Sequence, residues 1–272
     1  MQACSVKRKV MRCFDRSARG YRVHALFQEL IARETAAMAM RHAKPGDRIL
    51  DIGCGDGALL AAIMGHHESG GFSSGGLFAV DVSAGMCAMA RDRLGPLGAA
   101  VVRADAGAIP FSASSLNMIV SSLALQWVDD IGGVMGEAAR ALKPGGWLVA
   151  ATLGPGTFPE LRQSAAKARD GAVRHAAERF PSVRDLEISL GSAGFEFRII
   201  RGLRTRHYEN LMAFLRSLKK VGAMGAPGLE GAGLARRGFL QSLEREYENG
   251  FRFAEGLRAT YEALFVTACR KG

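Results

Sequence analysis

The residues best suited to chemistry lie in the first half of the chain: the segment Asp51-Ile52-Gly53-Cys54-Gly55-Asp56-Gly57 and two later acids, Asp81 and Asp105. The segment continues an apolar run. Its glycines therefore fall where the chain leaves a strand, and a backbone without Cβ there lets a ligand come close. Asp81 ends the run Leu77 to Asp81, and Asp105-Ala106 closes the run that starts at Ala99. The spacing is GxGxG rather than GxGxxG. Asp81 also comes later than the ~20 residues at which a dinucleotide site places its ribose acid. The stretch Ser69 to Gly76, SGGFSSGG, has no Gly-Lys-Ser/Thr after it and reads as a surface connection, not a phosphate loop.

Strand-end acids with open glycine turns can hold a ribose, an adenine and an ammonium group without a pyrophosphate. S-adenosylmethionine has those parts. Asp81 offers a carboxylate to the ribose diol. Val82 and Met86 wall the adenine, with Asp105 as hydrogen-bond acceptor and Ala106 beside it. Gly53 and Gly55 lie beneath the amino-acid end, and Asp51 faces the ammonium. Leu123, after the fourth strand, completes the expected cofactor set, with S-adenosylhomocysteine as product. No Asn-Pro-Pro-Tyr segment follows that strand, where the chain reads SSLALQW (Ser121 to Trp127), so methylation of an adenine or amide nitrogen is disfavoured. The five cysteines form no CxxC pair and no metal-ligand spacing, and His66-His67 stand apart from other ligand types. No metal is expected.

The elements that position these residues alternate. Strands are predicted at Arg48 to Ile52, Leu77 to Asp81, Ala99 to Asp105, Leu116 to Ser122 and Trp147 to Leu153. Helices are predicted at Ala58 to Met64, Ala84 to Leu94 and Asp130 to Leu142. Residues 8 to 42 read as helix, broken near Gly20. The alternation implies a parallel sheet covered on both faces. After Leu153 the pattern changes to a helix over Phe158 to Phe180, a long strand over Phe195 to Tyr208, a helical block over 209 to 250 interrupted by GAMGAPGLEGAG, and a last strand over Ala259 to Ala268. The expected fold class is α/β, a Rossmann-like class I methyltransferase with a mostly parallel seven-stranded sheet. Its expected parts are an N-terminal helical cap (1–43), a core (44–208), a helical lid insertion (209–258) and a final core strand (259–272).

The 272 residues are 48% hydrophobic and carry a net charge of +10. No apolar run reaches the roughly 20 residues of a membrane span, and no apolar stretch follows the basic start, so a soluble cytoplasmic protein is expected. The positive charge is clustered, at Lys7 to Arg22 and again over Arg198, Arg201, Arg204, Arg206, Arg216, Lys219 and Lys220. Such runs are either solvated faces or docking sites for an acidic partner.

Several segments together resemble a known family. FDRSARGYRVHALFQ (Phe14 to Gln28), SSLALQWVDD (Ser121 to Asp130), TLGPGTFPELR (Thr152 to Arg162), LRSLKKVGA (Leu215 to Ala223) and ATYEALFVTA (Ala259 to Ala268) are similar to the malonyl-acyl-carrier-protein O-methyltransferases of biotin synthesis. The resemblance runs nearly end to end and implies methyl transfer to the free carboxylate of a malonyl thioester. The partner would be an acidic acyl carrier protein, met by a monomer without nucleic acid or membrane. By the same resemblance Tyr21 closes over the cofactor, Arg162 grips the carboxylate, Gln126, Trp127 and Tyr261 line an acyl tunnel, and Lys219 and Lys220 help dock the carrier. Ser217 departs from the family, which shows an acid there. Two other readings share parts of the pattern: a complex I assembly factor of methyltransferase type, against which Gln126 and the intact TLGPGT favour the biotin enzymes, and a small-acid carboxyl methyltransferase, which gives no reason for the basic clusters.

Overall fold

Buried apolar runs set the centre of the sheet. β1 (Ile49–Ile52) is buried throughout, as a strand covered on both faces must be. Parallel to it run β2 (Leu77–Asp81), β3 (Ala100–Arg103), β4 (Leu116–Ser122) and β5 (Leu142–Leu153). The structure, a computed structural model, describes residues 11–16, 21–65, 76–168, 176–221 and 237–272. The basic Lys7 to Lys9, Gly20, His66-His67, nearly all of SGGFSSGG and the GAMGAPGLEGAG stretch lie outside the described residues.

The long β6 (Phe195–Tyr208) and β8 (Gly256–Arg270) complete the order β3-β2-β1-β4-β5-β8-β6, with the two-residue β7 (Arg252–Phe253) pairing with β8 off that path. β8 is antiparallel to both of its neighbours. Odd and even positions of the central strands face different cores. Ile49, Met118 and Val120 pack with Ala32, Ala36 and Ala39 of α2 (Leu26–Ala39) and with Leu59, Leu60 and Ile63 of α3 (Ala58–Gly65). α4 (Ala84–Leu94) joins that face through Ala90 and Leu94. Leu50, Ile52 and Ile119 face α5 (Ile131–Ala141) and α7 (Val183–Ser192). A third core lies where α6 (Pro159–Ala168), α8 (Leu211–Lys220) and α9 (Arg237–Phe251) meet the ends of β5 and β8.

Several boundaries differ from the sequence reading. α2 is preceded by the four-residue α1 (Tyr21–His24), with a break at Ala25 that the sequence reading did not expect, while the break expected near Gly20 lies outside the described residues. β5 begins at Leu142, not Trp147: the KPGG turn is absorbed into the strand by Gly145 at φ 76° and a register shift against β4. The helix expected over Phe158 to Phe180 is described as α6 and a 3-10 turn, Ala176–Arg179. α7 was not anticipated. Its start is a capping box in which Ser182 and Asp185 bond each other's backbone N–H, a Ser-x-x-acid signal legible in the sequence. β8 starts at Gly256, so residues 256–258 belong to the strand.

Candidate functional site

The strand order reverses between β1 and β4, with β2 and β3 on one side and β5 on the other. Open α/β sheets bind ligands outside the carboxyl ends at such a point, and a cavity opens there. Gly53 stands at φ 67°, where a Cβ would lie 2.3 Å from the Cβ of Ala124. Gly55, at φ 54°, would point a Cβ into open space. Its N–H donates to Asp81 Oδ2 at 3.0 Å, and the Ser83 N–H donates to Oδ1 at 2.8 Å. These bonds orient Asp81 at the cavity wall, although burial still raises its carboxyl above the ordinary range.

Asp51 is 1% exposed, and both of its carboxylate oxygens are buried without a hydrogen-bond partner among the described residues. Two further buried acceptors in the cavity lining, Gln28 Oε1 and Ser122 Oγ, also lack one. The three residues share a face. Asp51 lies two positions after Ile49, Ser122 two after Val120, and Gln28 one helical turn before Ala32, all on the α2 side of the sheet. Burial, and then the charges of Asp81 and Asp56, push the Asp51 carboxyl well above its usual range. Asp56 is paired with Arg93 at 2.6 Å. The described lining contains Asp51, Asp56, Asp81 and Asp105 but no Lys, Arg or His. Orphaned acceptors in an acidic pocket suit a cationic ligand with several N–H donors. S-adenosylmethionine, with its ammonium and sulfonium, fits.

Val82, Met86, Asp105, Ala106 and Leu123 line the same cavity, as do Tyr21 and Trp127. Tyr21 is buried against Ala25, Met86 and Val221. Burial first, then Asp56 and Asp81, raise its phenol far enough that it stays a protonated donor. Phe14 meets Trp127 edge-on, with ring centroids 6.1 Å apart. Asp15 accepts from Ser83 Oγ and from the Gly85 N–H at 3.0 Å, tying helix 11–16 to the start of α4.

Other expected site residues are placed elsewhere. Arg162 is exposed, because the buried stripe of α6 runs through Glu160, Leu161, Ser164 and Ala165 and leaves it on the opposite side. It does not line the cavity. Tyr261 is not on the cavity wall either: β8 points it into the third core, stacked on Phe27 at 3.9 Å with its hydroxyl 2.9 Å from that of Tyr208. Gln126 is buried behind the wall, with its amide bonded to Leu123 and Thr152. Lys219 and Lys220 are exposed in the last turn of α8, next to Val221. Sequence reasoning missed Gln28 and Ser122. Each stands inside a segment singled out above, but nothing local marks its acceptor as unpartnered.

A methyltransferase domain model matches residues 50–150. A solved S-adenosylmethionine-dependent methyltransferase of Thermotoga maritima shares the fold, with a TM-score of 0.54 at 19% identity over 96% of this chain and 100% of that one. Fold and site thus define a class I methyltransferase that uses S-adenosylmethionine. The malonyl-[acyl-carrier protein] O-methyltransferase of Geobacter sulfurreducens is 30% identical over 264 residues, spanning 95% of this chain and 97% of that protein. The enzyme of that name in Brevibacillus brevis is 33% identical over 273 residues, with 96% of each chain covered. The chain belongs to the malonyl-acyl-carrier-protein O-methyltransferase family.

Proposed function

We propose that this protein methylates the free carboxylate of malonyl-acyl-carrier protein, giving the methyl ester that starts pimeloyl synthesis for biotin. The observation that carries the reading is the similarity to relatives of that name over 95% or more of this chain. Asp81 is assigned to the ribose, and Val82, Met86, Asp105 and Ala106 to the adenine. Gly53, Gly55 and Leu123 bound the amino-acid end, where Asp51, Gln28 and Ser122 accept from the ammonium. When bound, the cofactor supplies an electrophilic methyl group. The acceptor carboxylate, with a pKa of about 4, is already an anion near neutral pH, so the chain needs no general base. Its task is alignment and exclusion of water. Tyr21, kept protonated, offers its O–H beside the cofactor, and Trp127 walls the acyl side. Residues 1–43 act as a cap and 209–255 as a lid, with the strand β8 following. Lys219 and Lys220, beside the Val221 that packs on Tyr21, help dock the acidic carrier by electrostatic attraction. The protein works as a cytoplasmic monomer.

The test is incubation of the purified protein with labelled cofactor and either malonyl- or acetyl-carrier protein. Only the malonyl form should be labelled. Equal labelling of both, or of neither, would remove this substrate class.

A further inference from the structure

Leu123 stands at φ 53° in the wall of the cofactor cavity. A side chain with a Cβ is disfavoured in this left-handed conformation, which persists only where the surroundings over-determine it. Both peptide groups of Leu123 are held. Its N–H donates to the Ala151 carbonyl at 2.8 Å. Its carbonyl accepts from Gln126 Nε2 at 2.7 Å. Gln126 Oε1 in turn accepts from Thr152 Oγ1 at 3.0 Å. The amide can face only one way, because the opposite orientation would set its oxygen against the Leu123 carbonyl. Gln126 is 6% exposed and Thr152 fully buried, so water does not replace these bonds easily.

The consequence reaches the glycine turn. Ala124 follows Leu123, and its Cβ occupies the place where a Cβ on Gly53 would stand. Two left-handed turns, one leaving β1 and one leaving β4, therefore press on each other, and both line the cavity. We infer that Gln126, backed by Thr152, is a positioning residue: it holds Leu123 left-handed so that Leu123 and Ala124 close the cavity wall against Gly53. The side chain does its work from behind the wall and need not touch the cofactor or the acyl chain. The site requires a group that donates at one end and accepts at the other. Glutamate lacks the donor and methionine lacks both. The inference rests on this cavity being the cofactor site.

Calorimetric titration with S-adenosylhomocysteine tests it through a double-mutant cycle. Gln126→Met keeps the length of the side chain and removes both bonds. It should weaken binding on the order of tenfold, about what one such hydrogen bond contributes. Thr152→Val should weaken it less, since the bond to Leu123 survives. Leu123→Gly will lose some affinity with its side chain, but glycine adopts positive φ without strain. In the Leu123→Gly background, adding Gln126→Met should therefore cost nothing further. An equal fold-loss in both backgrounds would overturn the inference. So would a Gln126→Met protein with unchanged cofactor affinity and a raised KM for the acyl substrate alone, which would return Gln126 to the acyl channel. If Gln126→Met does not fold, the cycle of Thr152→Val with Leu123→Gly carries the same test. A parent protein that does not bind S-adenosylhomocysteine would sink the cofactor site itself, a separate failure.

Discussion

Buried carboxylates at two places in this sheet are treated in opposite ways. At the end of β1, Asp51 is 1% exposed and neither oxygen has a partner among the described residues. Across the sheet, where the β5–α6 loop meets β8, Glu160 and Glu262 are buried as deeply, at 1% and 5%, and both are saturated. Glu160 accepts from the Thr260 N–H at 3.1 Å, from the Thr260 hydroxyl and from Arg258 at 3.2 Å. Glu262 accepts from the Gly156 N–H and from Arg201. Cβ atoms at Gly154 and Gly156 would come within 2.4 and 2.7 Å of the Glu262 carboxylate, so the glycines of TLGPGT make room for it. TLGPGT and ATYE are thus two halves of one staple. A buried carboxylate with a full set of partners is architecture, and one without, on a cavity wall, leaves acceptors open to a ligand's donors.

The strongest way to break this contrast is Glu160→Ala. It strands the buried Thr260 N–H and leaves Arg258 without its carboxylate. It should cost about 3 kcal/mol of stability, read as a lower urea midpoint at unchanged slope. A loss under about 1 kcal/mol would mean that the staple is ordinary surface pairing.

Asp51→Asn should do the reverse. Cofactor binding should weaken by about 1.5–3 kcal/mol, the worth of a hydrogen bond to a charged group, while the cofactor-free protein becomes more stable near neutral pH. The sign follows from the raised carboxyl. Between the unfolded value of about 4 and the higher folded value, the folded state binds more protons, so rising pH removes stability. Asparagine abolishes that slope. Cofactor affinity, by contrast, should rise with pH through the same window in the parent, because only ionised Asp51 attracts the ammonium. A destabilised Asp51→Asn protein, or a parent affinity that falls as pH rises, would reverse the assignment.

The smallest effect is expected on the surface. Reversing Lys219 and Lys220 to Glu should raise the KM for malonyl-carrier protein by a few-fold, less than about 1 kcal/mol per pair. Malonyl-coenzyme A should be affected far less. The difference should fade with salt, as the screening length falls from about 10 Å at ~0.1 M to about 3 Å at ~1 M. Equal slowing of both substrates without salt dependence would make the pair plain solvated surface.

The fold was legible because its rules are local. Alternating buried runs and helical spacing mark β1 to β5 and the helices between them, and turn residues mark where each strand stops. Where a local signal was overridden, tertiary pairing did it. KPGG reads as a turn, yet pairing of Leu142 with Leu116 and of Trp147 with Met118 of β4 carries the stretch between them into β5 across a register shift. Ser182-x-x-Asp185 reads as a helix start, but a long helical expectation over its flank hid it.

The sequence alone determined the strand-end acids and glycines, Asp51, Gly53, Gly55, Asp81 and Asp105, because the carboxyl end of a parallel strand faces the ligand side wherever the chain folds this way. Only the tertiary structure decided which polar groups remain unpaired. It brought Gln28 and Ser122 to Asp51, and it sent Tyr261 into a core and Arg162 to solvent. It also set Gln126 behind the wall while its neighbour Trp127 lines it. The physical reason is that hydrogen-bond satisfaction is settled through space between distant strands and helices, and no periodicity along the chain encodes which acceptor will be left waiting.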